Sequence, residues 1–400
     1  MLIVTDQVRY APVGALYLAD ALVKHGHTVE VRAVTDHPDH TGFDAVCISA
    51  HTSPYLKQLS SFARSVPGNK PVIWGGVHAT LLPDQINYDG LADTVVCGPG
   101  EHVIPRHLDG HDDCVKCTGD QPLDDYSPLW DLVTDDMMES YLYTDKHSVR
   151  GLDAGRDRIF YYLVTSRGCT WGRCRFCYES HRDFRYWRGH SLQWFRDQID
   201  YLITRCDIDG IGLWDDDPMG DWGRAVDMFT HLKDKDIAYL CDARAVTATR
   251  PGVTKFLADT GCLQLFIGME SGNDTMLKLM GKGETVNTYR RAVEAAKKCG
   301  LPVRGSFIYG FPGETDDMAR DTIDLINEFK EYDRFSVSGP KTFTPYPGTG
   351  FYTDCLTAGW SPPTTTAGWS DIHRKTDITR YPWVQLSKDT ISELESLKED

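Results

Sequence analysis

Three cysteines fall within nine residues, Cys169, Cys174 and Cys177 of "CTWGRCRFC", in the spacing C-x4-C-x2-C. Thiolates are ligands for soft metals, and three of them are one short of a closed tetrahedral site. Three chemistries suit that count. His181 would complete a Cys3His zinc site. Cys174 and Cys177 could act alone as a redox C-x2-C pair, with Cys169 outside it. Alternatively, three thiolates hold three irons of a [4Fe–4S] cluster and leave the fourth iron open.

The loop follows an apolar run, "RIFYYLV", that opens a strand–helix alternation. Strands are expected at 159–165, 211–215, 237–241, 264–269, 304–309 and 334–339. Helical periodicity fills 190–205, 221–234, 250–260, 273–280, 285–299 and 315–330. Six β/α units over 156–350 predict a partial (β/α)6 barrel, with functional groups gathered at the C-terminal strand ends. Those ends read "WDDDP" (214–218), "CDAR" (241–244), "GMESG" (268–272), "YGFPGET" (309–315) and "TPYPGT" (344–349). A zinc ribbon has no use for a ring of polar strand ends. A ligand with an amine, a carboxylate, a ribose and an adenine does.

Residues 1–108 repeat the alternation on a smaller scale. "LIVT" (2–5), "TVEVRAV" (28–34), "AVCISA" (45–50), "PVIWGG" (71–76) and "TVVCG" (94–98) are separated by helix-length segments. Such runs predict a doubly wound, Rossmann-like parallel sheet that binds ligands beyond its strand ends. The ends carry Ser49 and His51, then Gly75, Gly76 and His78, then Gly98, Gly100 and Glu101. They form either a cradle for a bulky ligand or plain turns. No G-x-G-x-x-G follows the first strand, which counts against a dinucleotide.

Between the two lies a polar connector, 109–155, with a short apolar anchor at 128–133. His107 just before it and His111, Cys114 and Cys117 within it have zinc-ligand chemistry, although a connector crowded with Asp reads first as solvated chain. The last 50 residues, 351–400, are short, with Pro362-Pro363 in a loop and an amphipathic final helix. They are too small for a peptide-recognition domain, so a small-molecule substrate is expected. Tyr178, Glu179, His181, Trp187 and Trp214 are candidates to line its cavity.

Composition excludes several partners. Asp plus Glu number 58 against 42 Lys plus Arg, a formal charge of −16 that repels phosphate backbones and argues against nucleic acid. No segment approaches 18 apolar residues, so no membrane span is expected. The N-terminus lacks the basic and apolar regions of a signal peptide, and the 12 cysteines fit a reducing cytoplasmic setting.

The strand-end set from 157 to about 350 closely resembles the radical S-adenosylmethionine superfamily. "PVGALYLADALVKHGHTVEV", "GGVHATLLPD" and "CGPGE" resemble the cobalamin-binding domain that precedes many of its members. The resemblance implies that Cys169, Cys174 and Cys177 ligate a [4Fe–4S] cluster whose open iron takes S-adenosylmethionine. Phe176, Tyr309 and Gly310 would lie beside the adenine, Asp215 and Asp216 would take the ammonium, Arg244 the carboxylate, and Glu270 and Ser271 the ribose. Cobalamin would sit at the first domain's strand ends without a histidine on cobalt, because the D-x-H-x-x-G signature is absent; "DHPDHTGF" (36–43) has the wrong spacing. The same absence allows a domain that has kept the fold without the cofactor. The usual cysteine spacing is C-x3-C-x2-C, and Gly172 would permit a bulge for the extra residue. The implied activity is radical C-methylation of an unactivated carbon, with an electron donor such as flavodoxin or ferredoxin. A cobalamin-dependent rearrangement or ring closure, a radical enzyme without cobalamin, and a zinc-stabilised binding module are the alternatives.

Overall fold

Short β-branched runs between amphipathic segments become parallel strands covered by helices, because only that arrangement buries both faces of each strand. The computed structural model describes residues 1–6, 12–110, 121–133, 142–143, 158–180, 186–372 and 377–398. The chain forms two units, Met1–Tyr141 with Ser361–Thr376, and Leu142–Trp360 with Asp377–Asp400.

In the first unit β1 (Leu2–Thr5), β2 (Glu30–Ala33), β3 (Val46–Ser49), β4 (Val72–Gly75) and β5 (Thr94–Val95) form a parallel sheet in the order β2-β1-β3-β4-β5. Ile3, Val31, Cys47, Ile73 and Val96 meet Leu18, Ala19 and Leu22 of the helix Val13–Lys24 in one buried core. Burying side chains of this size contributes about 1.5–3 kcal/mol each for the larger ones. The 128–133 segment behaves as the expected anchor. Trp130 is buried, Leu129 and Leu132 pack on this core, and the Leu129 amide donates to Leu16 O at 3.2 Å.

Register aligns the ends of three strands, Thr5 opposite Ser49 and Ser49 opposite Gly75. Just beyond, Gly76 has φ +90, and a Cβ there would lie 2.6 Å from Ala50 O and 2.8 Å from Ala50 N. Those Ala50 atoms already bond His78 N and Gly75 O. Gly76→Ala is therefore expected to cost about 1–3 kcal/mol from backbone strain alone. A lowered urea midpoint for the first unit checks this, and an unchanged midpoint counts against it.

Residues 361–372 fold with this first unit. Gln85 joins them, donating from Nε2 to Pro363 O at 3.0 Å and accepting from Trp369 Nε1 at 2.8 Å. Ser370 Oγ accepts from Lys57 N, and Asp89 accepts from Thr366 N.

The second unit holds a seven-stranded sheet: β6 (Leu142–Tyr143), β7 (Arg158–Leu163), β10 (Gly210–Leu213), β11 (Ala238–Ala243), β12 (Cys262–Glu270), β13 (Val303–Tyr309) and β14 (Phe335–Thr342). The order is β14-β13-β12-β11-β10-β7-β6, parallel throughout except for β6, which pairs antiparallel with β7. A small ladder joins β8 (Ser166–Arg167) to β9 (Arg188–Gly189). Helix starts follow the sequence. Ser191, Asp221, Thr285 and Thr315 accept the amides of Trp194, Arg224, Thr288 and Met318 as N-caps. No helix of the described residues is long and apolar enough to cross a membrane.

Candidate active site

The cysteine loop leaves β7 and is fastened at several points before it reaches the helix Leu192–Cys206. Asp215, two residues past the end of β10, accepts from Thr165 N at 3.0 Å and Thr165 Oγ1 at 2.8 Å, and from Ser166 Oγ. Asp217 accepts from the amide and hydroxyl of Thr170, next to Cys169. Arg175 N donates to Met280 O at 2.8 Å, Arg175 O accepts from Phe351 N, and its guanidinium pairs with Asp354 at 2.7 Å. Within the loop Cys177 N donates to Cys174 O at 3.1 Å. Gly172 has φ +53, so the extra residue of the first gap is taken up in a left-handed turn as its glycine suggested.

The three thiols are half-buried. Burial pushes each of them up, Cys174 to about 11 and Cys177 well above the ordinary thiol range. As free thiols they resist ionisation, and a metal's positive charge is what would stabilise their thiolates. Near Cys174 lies a largely buried charge array. Lys282 Nζ pairs with Glu270 Oε1 at 3.3 Å, and Arg244 lies 3.8 Å from Glu284 Oε1, which also accepts from Val246 N. Burial alone would lower the Lys282 ammonium, but Glu270, Cys174 and Glu284 around it outweigh that and keep it charged. Glu270 sits at φ +67, an uncommon conformation for a non-glycine residue, at a register shift between β12 and β13.

The three consecutive aspartates have separate tasks. Asp215 and Asp217 hold the loop and are buried, while Asp216 between them is exposed. It bonds Glu179, whose Oε2 is buried without a partner. Burial raises both groups, with Asp216 repelling Glu179 and Asp215 repelling Asp216, while the bond from Glu179 holds Asp216 back. Asp242 on β11 is pushed up to about 8 by burial and by Asp216 and Asp215, with Lys341 of β14 acting against them. Tyr178 completes this acidic cluster, its hydroxyl raised by burial. Asp242, Lys282, Glu284 and Lys341 were not singled out from the sequence; each sits in a stretch that reads as strand or turn.

Other expected ligand-contacting residues have definite partners. Phe176 packs edge-on against Phe311 at 5.7 Å. The Ser271 hydroxyl accepts from Asn273 N and meets Thr322. Tyr309 directs its hydroxyl to Glu395 of the final helix at 3.3 Å. Gly310 O accepts from Trp383, and Gly310 N donates to Glu314. Trp187 donates to Asp217 O, and Trp214, 42% exposed, stacks on Tyr162 at 4.4 Å. His181 lies outside the described residues.

Glu314 makes its own prediction. It is buried under the β13 turn, accepts from Gly310 N and Phe311 N, and burial pushes its carboxyl up to about 7. The folded state therefore binds a proton that the unfolded chain has released, and stability falls as pH climbs from the ordinary carboxyl range through about 7. Glu314→Gln is expected to flatten that slope, read as urea midpoint against pH. An unchanged slope would assign it to other groups.

In the first unit, Ser49, Gly76, Gly98 and Gly100 line the strand-end edge half-exposed, and His51 is exposed beside Asp6 at 3.7 Å. Gly75 and Glu101 are buried there. Gly98 N donates to Thr80 Oγ1. His78 lies below the edge, fully buried against Thr52 Oγ1 and Trp369, with burial pushing it down to about 4. Of the connector's zinc candidates, His107 contacts Thr94 Oγ1 through Nε2, while His111, Cys114 and Cys117 lie outside the described residues.

These residues fit the implied groups. Among the described residues no three His, Cys, Asp or Glu side chains gather to hold one metal ion, a convergence that a cluster with one thiolate per iron does not need. The glycine-rich edge of the first sheet is half-exposed, so its backbone is open to close approach by a ligand.

Comparison with known proteins agrees. Residues 163–326 match the radical SAM superfamily and residues 1–108 match the B12 binding domain. A protein of Pyrococcus horikoshii described as an uncharacterised methyltransferase is 30% identical over 328 residues, covering 76% of this chain and 68% of its own length. The fold matches the radical S-adenosylmethionine methyltransferase TsrM from Kitasatospora setae, solved with tryptophan substrate and a SAM analogue. The TM-score is 0.67 at 16% identity, over 100% of this chain and 88% of that one. It also matches the cobalamin-dependent S-adenosylmethionine radical enzyme OxsB with aqua-cobalamin, at TM-score 0.60 and 19% identity, over 81% of this chain and 51% of that one. A three-thiol loop on a parallel sheet, preceded by a doubly wound unit of the B12 type, places this chain among the cobalamin-dependent radical S-adenosylmethionine enzymes, with a [4Fe–4S] cluster, S-adenosylmethionine and cobalamin as cofactors.

Proposed function

We propose that the chain methylates an unactivated carbon of a small metabolite. The observation that carries this is the pairing, in one chain, of a three-thiol loop with a doubly wound unit of the B12 type. The names of the Pyrococcus relative and TsrM, both methyltransferases, favour methyl transfer over rearrangement. When bound, the cluster with S-adenosylmethionine supplies a 5′-deoxyadenosyl radical for hydrogen abstraction, and cobalamin supplies the methyl carrier.

The chain's own residues bind and orient. Cys169, Cys174 and Cys177 would hold the cluster, which would supply an open iron for S-adenosylmethionine. Asp216 faces the ammonium and Arg244 the carboxylate, where a planar fork suits bidentate contact. Phe176 and the turn at Tyr309–Gly310 flank the adenine, and Glu270 and Ser271 mark the ribose end. Ser49, Gly76, Gly98 and Gly100 form the cobalamin edge. Tyr178, Glu179 and Trp214 line the substrate side, and a low-potential flavodoxin or ferredoxin delivers electrons.

The test uses anaerobically reconstituted protein, a reductant, S-adenosylmethionine with a trideuterated methyl group, and fractionated small-metabolite extract. The expected result is a metabolite that has gained the labelled methyl, accompanied by S-adenosylhomocysteine and 5′-deoxyadenosine. Formation of 5′-deoxyadenosine with an unlabelled product would replace methyl transfer by a rearrangement. No turnover of S-adenosylmethionine in any fraction would contradict the proposal.

A further inference from the structure

The first cysteine gap is one residue longer than the usual spacing, and the structure shows what fills it. Trp171 Nε1 donates to Gly281 O at 2.8 Å. Its ring occupies the space where a Cβ on Gly283 would stand, 2.2 Å from the nearest ring carbon. The guanidinium of Arg244 lies 4.8 Å from the ring centroid and that of Arg173 5.2 Å. Arg244 in turn bonds Lys282 O at 3.3 Å. One indole therefore touches the cysteine loop, the 281–283 turn and the arginine after β11.

We infer that Trp171 is a positioning residue that locks the seat of Cys169 to the orientation of Arg244, so that the cluster site and the S-adenosylmethionine carboxylate site are set by one side chain. The inference rests on the proposed roles of the three thiols and Arg244. Two features give the ring little alternative. Gly283 and Gly281 both have positive φ, and side chains there would strike Trp171 and Arg173 O respectively. The cation–π contact with Arg244 is half-buried, where such contacts are stronger than at open surface. A shorter gap would have no residue to place in this seat.

The test compares Trp171→Phe and Trp171→Ala in the reconstituted, cluster-loaded protein, titrating S-adenosylmethionine while following the shift it causes in the EPR spectrum of the reduced cluster. Trp171→Phe keeps a ring against Arg244 and is expected to titrate like wild type. Trp171→Ala is expected to bind roughly tenfold more weakly per loaded cluster. General destabilisation lowers the loaded fraction without moving the affinity of that fraction. If Trp171→Ala yields no loaded protein, Gly283→Ala, which keeps the indole but displaces it, is read the same way. Wild-type affinity in Trp171→Ala, or in Gly283→Ala where that variant decides, overturns the inference. Absence of any shift in wild type strikes the thiol assignment instead.

Discussion

Cys174→Ala is expected to remove the brown iron–sulfur absorption and 5′-deoxyadenosine formation together, leaving the fold intact. Cys174 is the middle cysteine of the loop, and the Arg175–Met280 bond and the Cys177–Cys174 turn hold the backbone around it. Losing it leaves two thiols, too few for a cluster that already lacks a fourth protein ligand. The thiols are raised by burial, so ligation and deprotonation are coupled: cluster assembly releases protons and weakens as pH falls. Iron content, absorbance and product formation are read beside far-ultraviolet circular dichroism. Retained activity would sink the thiol assignment, whereas lost circular dichroism would make Cys174 a folding residue.

Lys282→Met is expected to destabilise the second unit strongly. Lys282 stands between Glu270, Glu284 and Cys174, and Glu270 Oε2 has no partner at all. Removing the ammonium leaves Glu270 buried and uncompensated, a loss of about 3–5 kcal/mol for a broken buried pair. Arg244, 3.8 Å from Glu284, is too committed to its own contacts to take over. Lys282→Met combined with Glu270→Gln is expected to recover much of the loss, because the stranded charge goes with it. The urea midpoint of the second unit measures both. A loss under about 1 kcal/mol would mean that water reaches the pair.

Much of this architecture could be read from the chain. Strand–helix alternation is a local signal, so β1, β10, β13 and the helices capped by Ser191, Asp221, Thr285 and Thr315 fall within a few residues of expectation. The cysteine loop was legible because thiol chemistry depends on identity and spacing. What escaped depends on contacts distant in sequence. Gln85 bonds Trp369 across 284 positions, and no periodicity forecasts that Ser361–Thr376 belongs with the first unit. The β6 strand, two residues inside a polar connector, has too little length to signal itself.

The same limit governs the site. "WDDDP" announces an acidic strand end but not which carboxylates are tied to the cysteine loop, because that depends on where Thr165 and Thr170 stand. Tyr309 ends a strand beside a glycine, yet its hydroxyl meets Glu395, 86 residues away. "GKGET" reads as a turn, and only folding brings Lys282 near Cys174 and Glu284 to Val246. The longer first cysteine gap reads as a bulge at Gly172, and in the folded chain Trp171 of that gap is bonded to Gly281 and lies over Arg244.

The most direct test of the account is metal analysis of protein made and purified anaerobically with cobalamin supplied. The account predicts a brown protein carrying the iron and sulfide of a full cluster and about one equivalent of cobalt per chain, the iron lost in Cys174→Ala while the cobalt stays. Colourless protein containing zinc, with neither iron nor cobalt, would contradict it.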